Sequence, residues 1–192
     1  MSGKRVKNAS IQKLSYDEIF SKRPALDALK SMPRAPIYTL AENIRSMYNV
    51  GSLFRTGDGI RLKKLFLCGY SAYPPRDQID KTALGATESV PWAYHKDPLS
   101  VLKKMKNDGI QVVALEHTDR SVPYTEFHYN FPVCLIVGNE VEGITQETLN
   151  FADYAVEIPM YGLKQSLNVA TAYGIVLYHI FDKYQEKQKL KY

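Results

Sequence analysis

The stretch EIPMYGLKQSLNVATAYGIVLYHI, residues 157–180, decides the class of fold that this sequence predicts. It begins as a short apolar strand, passes through a turn with Pro159 and Gly162, and continues as a long apolar helix. The turn interrupts the regular backbone, so several N–H and C=O groups lack ladder partners and can bind a polar ligand. Ser166 and Asn168 lie where the helix begins and can cap or flank its N-terminus. The stretch is typical of a strand, a ligand loop and a helix in an α/β protein.

The same alternation of apolar strands and helices extends back from this stretch to Ala35. Predicted strands occupy residues 35–41, 63–70, 110–116, 132–139 and 154–159, and further predicted helices occupy residues 50–60, 97–109 and 145–152. Strands that are apolar throughout and are separated by helices are typical of a parallel sheet. The predicted fold class is α/β, a parallel sheet with helices on both faces.

The chain divides into a main domain and two flanking segments. The alternating pattern occupies residues 36–184, which form the predicted domain, while residues 1–35 form an N-terminal extension with one helix and residues 185–192 a basic tail. Within the domain, residues 71–92 are predicted to be one long loop, and loops of that length are more often functional than idle. We therefore expect substrate contacts in that loop.

The composition is that of an ordinary globular protein. The 192 residues are 45% hydrophobic and 23% charged, and they include no apolar run long enough to span a membrane and no N-terminal signal segment. The net charge of +5 suggests a polyanionic partner, although the last residues supply much of it. Cys68 and Cys134 lie in apolar runs, so we expect buried thiols rather than a disulfide or a metal site. A soluble, cytoplasmic protein without a metal is expected.

Polar residues follow the first predicted strand and enter the next helix. The segment ENIRSMYNVGSLFRTGDG, residues 42–59, carries Asn49, which can cap the helix, and Arg55, which lies well inside it. Ligands of open α/β sheets bind beyond the carboxyl ends of the strands. Arg55 is therefore either an ordinary surface arginine or an anchor for a phosphate group.

A second junction joins a buried strand to a loop that contains glycines. In CLIVGNEVEGIT, residues 134–145, Gly138 and Gly143 allow a ligand to approach the backbone, and Glu140 places a carboxylate at the same edge of the sheet. The alternative is a plain turn with an acidic surface residue. The chain contains neither a GxGxxG fingerprint nor a glycine-rich phosphate loop with Lys-Ser/Thr, which disfavours a dehydrogenase or a P-loop enzyme.

The histidines do not indicate a metal site or a nucleophilic triad. The four histidines follow no ligand spacing, and no Ser-His-Asp or Cys-His arrangement is suggested. His117 ends a predicted strand, where it can line a pocket or lie on the surface. The 14 tyrosines are spread through the chain, so an aromatic stacking platform is possible only in parts, for example at Tyr70 and Tyr73.

The three junctions, in this order, resemble the three motifs of the TrmH/SpoU branch of the SPOUT RNA methyltransferases. The resemblance runs from about residue 36 to residue 182, and IPMYGLKQSLNVATA, residues 158–172, is close to the family's third motif throughout. It implies an α/β fold whose C-terminal segment passes through a loop to make a deep trefoil knot. It also implies a homodimer, with the final helix near the interface, and S-adenosyl-L-methionine as the cofactor.

The resemblance also implies which residues form the site. The implied cofactor-binding residues are Leu115, Glu116, Gly138, Asn139, Gly143, Ile158, Met160, Ser166, Leu167 and Asn168. The implied catalytic residues are Asn49, Arg55, Glu140, Ser166 and Asn168. Some of these residues can act across the dimer interface.

The implied reaction transfers a methyl group to a ribose 2′-hydroxyl of tRNA or rRNA. That hydroxyl is a poor nucleophile, so it must be aligned with the sulfonium methyl while its proton is removed. Arginine stays protonated in proteins and is a poor base. We therefore prefer Arg55 as a phosphate anchor and orienter, with the proton relayed through that phosphate. The alternatives are a catalytically inactive RNA-binding module with the same fold and a small-molecule methyltransferase.

The N-terminal extension contains one predicted helix, near residues 16–31. Ser15 and Glu18 match a capping box and Pro33 marks the end, whereas Pro24 can break or restart the helix. Many relatives carry a separate RNA-binding domain before the catalytic part, and only about 35 residues precede it here. The helix either packs on the main domain or helps to dock RNA.

Overall fold

The computed structural model describes residues 11–189, which fall into two compact units. The first unit ends at Met32 and the second begins at Pro33. Residues 1–10 of the predicted extension and residues 190–192 of the predicted basic tail lie outside the described residues.

The first unit contains two short helices, α1 (Tyr16–Phe20) and α2 (Leu26–Ser31). The predicted capping box begins α1, because Ser15 Oγ accepts a hydrogen bond from the Glu18 N–H and the Glu18 carboxylate accepts one from the Ser15 N–H. The chain leaves the helix before α2, where Pro24 cannot donate a backbone hydrogen bond. The extension therefore holds two helices instead of the predicted one.

The second unit is built on a single seven-stranded sheet. Its strands are β1 (Ile37–Glu42), β2 (Lys64–Cys68), β3 (Trp92–His95), β4 (Gln111–Leu115), β5 (Val122–Pro123), β6 (Val133–Val137) and β7 (Tyr154–Glu157). Their order is β3-β2-β1-β6-β4-β7-β5, and every pairing is parallel. The predicted parallel α/β sheet is confirmed, and the carboxyl ends of all strands meet at one edge.

Six helices accompany this sheet among the described residues. They are α3 (Met47–Gly59), α4 (Asp77–Ala83), α5 (Ala86–Ser89), α6 (Pro98–Asn107), α7 (Gln146–Leu149) and α8 (Val169–Lys189). α8 carries residues 185–189 of the predicted basic tail, because Lys, Gln and Glu are good helix formers and continue the helix.

The segment 71–92, predicted as one loop, contains regular structure. It includes α4 and α5 and ends at Trp92, the first residue of β3, a strand that was not predicted. α4 has seven residues and buries only Ile79 and Ala83, so its helical period is too short to read from the sequence. The prediction of a continuous loop was therefore wrong.

The alternation of side chains along β1 places apolar residues on both faces of the sheet. Ile37 and Ala41 belong to a core cluster with residues of α3 and α8, whereas Leu40 belongs to a second cluster with residues of α6. Tyr173 of α8 reaches the sheet, where its hydroxyl lies 3.0 Å from Thr39 Oγ1, and burial raises its pKa. The prediction of helices on both faces is confirmed.

Cys68 and Cys134 are buried and form no disulfide, as predicted. Burial raises the pKa of the Cys68 thiol to about 12 and also raises that of Cys134. Both thiols are therefore protonated and unreactive at neutral pH. In residues 11–189, no helix combines the length and the apolar character that a membrane crossing requires.

Candidate active site

Three segments at the carboxyl edge of the sheet surround one cavity of about 200 Å³. The segments follow β4, β6 and β7, and the start of α8 completes the wall. Nine of the ten residues predicted to surround a cofactor line this cavity: Leu115, Glu116, Gly138, Asn139, Gly143, Ile158, Met160, Ser166 and Leu167. Glu140 also lines it, whereas Asn168, Asn49 and Arg55 do not.

The loop after β6, residues 138–143, is held by its own hydrogen bonds, and we call it the glycine loop. Asn139 and Gly143 each donate a backbone N–H to the other's carbonyl at 3.0 Å. Asn139 Oδ1 accepts two more N–H groups, from Val141 at 2.8 Å and Glu142 at 2.9 Å. A Cβ atom at Gly138 would overlap the backbone of Gly143, and Gly143 itself has φ +70°. Glycine is therefore required at both positions.

Glu116 attaches the glycine loop to the end of β4. Its Oε2 accepts the Ile144 N–H at 2.9 Å, and its Oε1 accepts the His117 N–H at 3.0 Å. The carboxylate thus links the end of the glycine loop to the segment after β4 in the wall of the cavity. This role of the side chain was not predicted from the sequence.

Glu140 joins the glycine loop to the N-terminus of α3. Its carboxylate accepts the backbone N–H groups of Arg45 at 2.9 Å and Ser46 at 3.0 Å, and the side-chain amide of Asn49 at 2.7 Å. Partial burial raises the pKa of Glu140, but the hydrogen bonds from Ser46, Arg45 and Asn49 outweigh it and lower the pKa overall. A carboxylate at this end of the helix is also favoured by the helix dipole.

The prediction that Asn49 caps α3 is wrong. α3 begins at Met47, one residue after Ser46, whose hydroxyl accepts the Asn49 N–H at 3.3 Å and therefore provides the cap. This position frees the Asn49 side chain, which lies in the first turn, to contact other elements. Its amide nitrogen donates to Glu140, and its Oδ1 accepts the Asn168 side-chain N–H at 3.2 Å.

Asn168 lies directly before α8 and bridges it to α3. Its Oδ1 accepts the N–H groups of Ala170 at 2.9 Å and Thr171 at 3.3 Å, which is an N-terminal cap. Glu140, Asn49 and Asn168 thus form one chain of hydrogen bonds beside the cavity. Ser166 lines the cavity, and no side chain or backbone group of the described chain hydrogen-bonds to it.

The loop after β7, residues 159–167, contrasts with the glycine loop, and we call it the C-terminal loop. None of its residues makes a hydrogen bond within residues 11–189. Tyr161 and Leu163 are each 96% exposed. The loop therefore lines the cavity without being held by the rest of the described chain.

Arg55 lies on the exposed side of α3, outside the cavity. Over the described range of the chain, no hydrogen bond or ion pair engages its guanidinium. The geometry leaves this cation available to an anionic ligand, but it does not place it against the cavity wall.

His117 and Glu157 are among the lining residues that were not predicted as part of the site. His117, considered only as a possible pocket residue, lines the cavity, and its Nδ1 lies 3.2 Å from Glu157 Oε2. Glu157 also accepts the Ser121 hydroxyl at 2.6 Å, and these two hydrogen bonds, that from Ser121 first, lower its pKa. Their position directly after β4 and at the end of β7 is the signal that could have identified them. Across residues 11–189, no cluster of three or more His, Cys, Asp or Glu side chains has the arrangement of a metal site.

Known proteins resemble this chain in sequence and in structure. The profile of the SpoU rRNA Methylase family matches residues 36–178. A tRNA (guanosine(18)-2'-O)-methyltransferase of Aquifex aeolicus is 35% identical over 155 residues, which cover 79% of this chain and 71% of the relative. The Escherichia coli K12 protein of the same name is 32% identical over 149 residues, covering 76% of this chain and 63% of the relative.

Two solved structures extend the likeness to the fold. The crystal structure of the A. aeolicus TrmH/SpoU tRNA modifying enzyme superposes with a TM-score of 0.77 at 30% identity and covers 85% of this chain and 84% of that one. The SpoU methyltransferase AviRb from Streptomyces viridochromogenes, in complex with the cofactor AdoMet, superposes with a TM-score of 0.72 at 25% identity and covers 83% and 62%. The family profile spans most of the second unit, and the chain belongs to the SpoU rRNA Methylase family.

Proposed function

We propose that this protein is an RNA methyltransferase that uses S-adenosyl-L-methionine to methylate a ribose 2′-hydroxyl of tRNA or rRNA. The observation that carries the proposal is the convergence of three strand ends on one cavity, beside which Asn49, Glu140 and Asn168 are joined by hydrogen bonds. The name of the family and the names of the relatives support RNA as the substrate, and the AdoMet complex of AviRb supports the cofactor.

The lining of the cavity suits this cofactor. Apolar side chains such as Leu115 and Ile158 can pack against an adenine ring, and the glycine loop exposes backbone groups to polar atoms of a ligand. Gly138 and Gly143 keep side chains out of the space beside the loop. The carboxylate of Glu142 adds negative charge that favours a cationic ligand. When bound, the cofactor supplies an electrophilic methyl group on a sulfonium centre.

Arg55 is the proposed anchor for the RNA. Its exposed guanidinium can bind a phosphate through two parallel N–H donors, which fixes the orientation of the attached ribose. Because a guanidinium stays protonated, Arg55 does not itself remove the hydroxyl proton. That proton passes to an oxygen of the anchored phosphate, which Arg55 holds in place.

The hydrogen-bonded chain of Glu140, Asn49 and Asn168 holds the elements around the reaction in position. It ties the glycine loop to the start of α3 and the start of α3 to the start of α8. A displacement of about 1 Å in such an arrangement is enough to slow a transfer reaction about 100-fold. We assign these three residues to positioning and Ser166 to the lip of the cavity.

A deep trefoil knot in the C-terminal segment is part of the proposal. Its support is that the C-terminal loop and α8 share the cavity with the glycine loop, together with the TM-score of 0.77 to the A. aeolicus enzyme. Knotted chains are exceptions to the usual rules of chain connection, so the family resemblance remains the main argument.

A homodimer is also proposed, with α8 and the C-terminal loop at the interface. Tyr161 and Leu163 in the loop, and Ile175 and Tyr178 in α8, expose large apolar side chains. Exposed apolar side chains in this number are typical of an interaction surface. A second copy would also supply hydrogen-bond partners to the unbonded backbone of the C-terminal loop.

A cytoplasmic location is supported by the two free, buried cysteines.

Replacement of Arg55 tests the proposal. Arg55→Ala should lower the rate of methyl transfer to RNA at least about 100-fold, because it removes the phosphate anchor, while the affinity for S-adenosyl-L-methionine stays nearly unchanged. Arg55→Lys should restore only part of the activity, since a lysine cannot form the bidentate contact. Arg120→Ala, which changes another exposed arginine, is the matched control and should keep full activity.

The same assays separate the alternatives. Full activity of Arg55→Ala would refute the assignment of the anchor. RNA binding without methyl transfer by the native protein would favour the inactive RNA-binding module. Methyl transfer to a small molecule in the absence of RNA would favour a small-molecule methyltransferase. Mapping of 2′-O-methylation at nucleotide resolution, in RNA from cells with and without the gene, would identify the target, and no changed ribose would overturn the proposal.

A further inference from the structure

A group of exposed tyrosines lies near the carboxyl ends of β2 and β3. Tyr70 and Tyr73 lie in the segment after β2, and Tyr94 belongs to β3. We call these three residues the tyrosine cluster. All three are exposed, Tyr70 at 57%. The rings of Tyr73 and Tyr94 pack against each other at a tilt of 34° with centroids 4.4 Å apart, and Tyr94 donates its hydroxyl to the Gly69 carbonyl at 2.7 Å.

Tyr70 is held firmly although its ring is exposed. Its backbone N–H donates to Asn43 Oδ1 at 3.1 Å, and its hydroxyl accepts the Asn139 side-chain N–H at 2.8 Å. Gly69, with φ +67°, forms the turn directly before Tyr70, and the Asn43 side chain that accepts the Tyr70 N–H comes from a left-handed residue after β1, with φ 56°. An aromatic ring held in this way loses little conformational entropy when a ligand stacks on it.

The hydrogen bond to Asn139 places Tyr70 directly beside the glycine loop. Asn139 lines the cavity and is itself buried, and all four hydrogen bonds of its side chain are made inside the molecule. A ligand group stacked on Tyr70 would therefore lie next to the proposed site of methyl transfer. Exposed cations follow close by in the chain, Arg76 after Tyr73 and Lys96 after Tyr94.

We infer that the tyrosine cluster, with Tyr70 as its main ring, binds an unpaired nucleobase of the RNA substrate close to the ribose that is methylated. Proteins recognise single-stranded RNA by stacking unpaired bases on aromatic side chains, with basic residues along the phosphates. The inference rests on the proposed function for its ligand, but the cluster is a feature separate from Arg55 and from the cofactor-binding residues.

The test compares the ring of Tyr70 with its hydroxyl. The probe is a fluorescently labelled oligoadenylate of about 12 nucleotides, whose bases stack on any aromatic platform. Tyr70→Ala should weaken binding about tenfold, whereas Tyr70→Phe, which keeps the ring and loses only the bond to Asn139, should retain most of the native affinity. Tyr154→Ala is the matched control, because Tyr154 is 53% exposed on β7 and should not affect binding.

Salt dependence separates stacking from phosphate contacts. The ratio of dissociation constants between Tyr70→Ala and the native protein should stay constant between about 50 and 200 mM salt, because stacking releases no counterions. Equal binding by Tyr70→Ala and the native protein, or no binding by the native protein, overturns the inference. Loss of the dimer in Tyr70→Ala without a change in RNA affinity also overturns it, since the ring would then contact a second copy.

The outcome is independent of the methyl-transfer assay. If Arg55→Ala stays active while Tyr70→Ala loses RNA affinity, the nucleobase site at the tyrosine cluster is supported and the role of Arg55 as phosphate anchor is refuted. If methyl transfer depends on Arg55 but Tyr70→Ala binds RNA as the native protein does, the proposed function is supported and the nucleobase site is refuted. Unchanged affinity of Tyr70→Ala for S-adenosyl-L-methionine shows that the glycine loop beside it is intact.

Discussion

Two of the segments that line the cavity, the glycine loop and the C-terminal loop, are held in opposite ways. The glycine loop is closed by two backbone hydrogen bonds between Asn139 and Gly143, by the side chain of Asn139 and by the carboxylate of Glu116. Within residues 11–189, the C-terminal loop makes no hydrogen bond between positions 159 and 167 and exposes Tyr161 and Leu163. The wall formed by the glycine loop is therefore held in place by the chain itself. The wall formed by the C-terminal loop exposes backbone groups that have no hydrogen-bond partner within residues 11–189.

This difference suggests a division of roles. Preformed hydrogen-bond groups bind a ligand without the entropic cost of ordering, which suits the recognition of a small cofactor. Exposed backbone groups that have no partner in the protein bond to water and can exchange that water for another molecule, such as a ligand or a second copy. Mutations in the glycine loop should therefore reduce the stability of the fold, whereas mutations in the C-terminal loop should affect association.

The largest expected effect is on the glycine at the start of the glycine loop. Gly138→Ala should lower the free energy of unfolding by about 1 to 3 kcal/mol, because the new Cβ would overlap the backbone of Gly143 and Ile144. Gly162→Ala in the C-terminal loop is the matched control, since beyond the two neighbouring residues no atom of the described chain lies within 4 Å of its new Cβ. Urea unfolding of both variants measures the difference. Equal stability of the two would show that the glycine loop is not the more constrained wall.

A smaller effect is expected where Glu140 ties the glycine loop to α3. The pKa of Glu140 is lowered in the folded protein, so its contribution is present above the ordinary value of 4.5 and is lost as the pH falls through the lowered value. Glu140→Gln should lower the free energy of unfolding by about 1 kcal/mol at neutral pH. The difference from the native protein should shrink toward zero in acid.

Unfolding curves recorded across this pH range give the measurement. Ser166→Ala is the control, because the described chain gives its hydroxyl no hydrogen bond that the substitution could break. A difference between Glu140→Gln and the native protein that stays constant with pH would contradict the proposed role of the carboxylate.

The smallest effect on stability is expected in the C-terminal loop. Leu163→Ser should change the unfolding free energy of the monomer by no more than about 0.5 kcal/mol, because the side chain contacts water. The same change should weaken dimerisation about tenfold, as measured by sedimentation, because it removes an apolar side chain from the proposed interface. Leu84→Ser, at a leucine 66% exposed beyond α4, should affect neither quantity. Unchanged dimerisation of Leu163→Ser would separate the C-terminal loop from the interface.

Local pattern was sufficient to predict the strands that carry the site, whereas the family resemblance implied most of the residues that line the cavity. Each strand of the sheet centre is mostly apolar and at least five residues long, and residues directly after a parallel strand lie at the ligand edge whatever the strand order. The short elements of the fold could not be predicted in this way. β3 and α4 have four and seven residues, which is too short for a period to stand out from the surrounding loop.

The contacts of Asn49 illustrate what local pattern cannot supply. A polar residue near a predicted helix start was interpreted as its cap, but Ser46 occupies that position and Asn49 contacts Glu140 and Asn168 instead. These partners are 91 and 119 residues away in the chain. The bond between Tyr70 and Asn139 spans 69 residues and was equally hidden.

By itself, the sequence determined the α/β class, the parallel sheet, the two buried cysteines and the positions of the glycine and C-terminal loops, because burial and chain reversal follow from neighbouring residues. Only the tertiary structure decided that Glu140, Asn49 and Asn168 form one hydrogen-bonded chain and that Tyr70 lies against Asn139. The physical reason is that the strand order places β6 between β1 and β4 and so brings distant strand ends together. Side-chain periodicity reports which face of a strand is buried, but not which strand lies beside it.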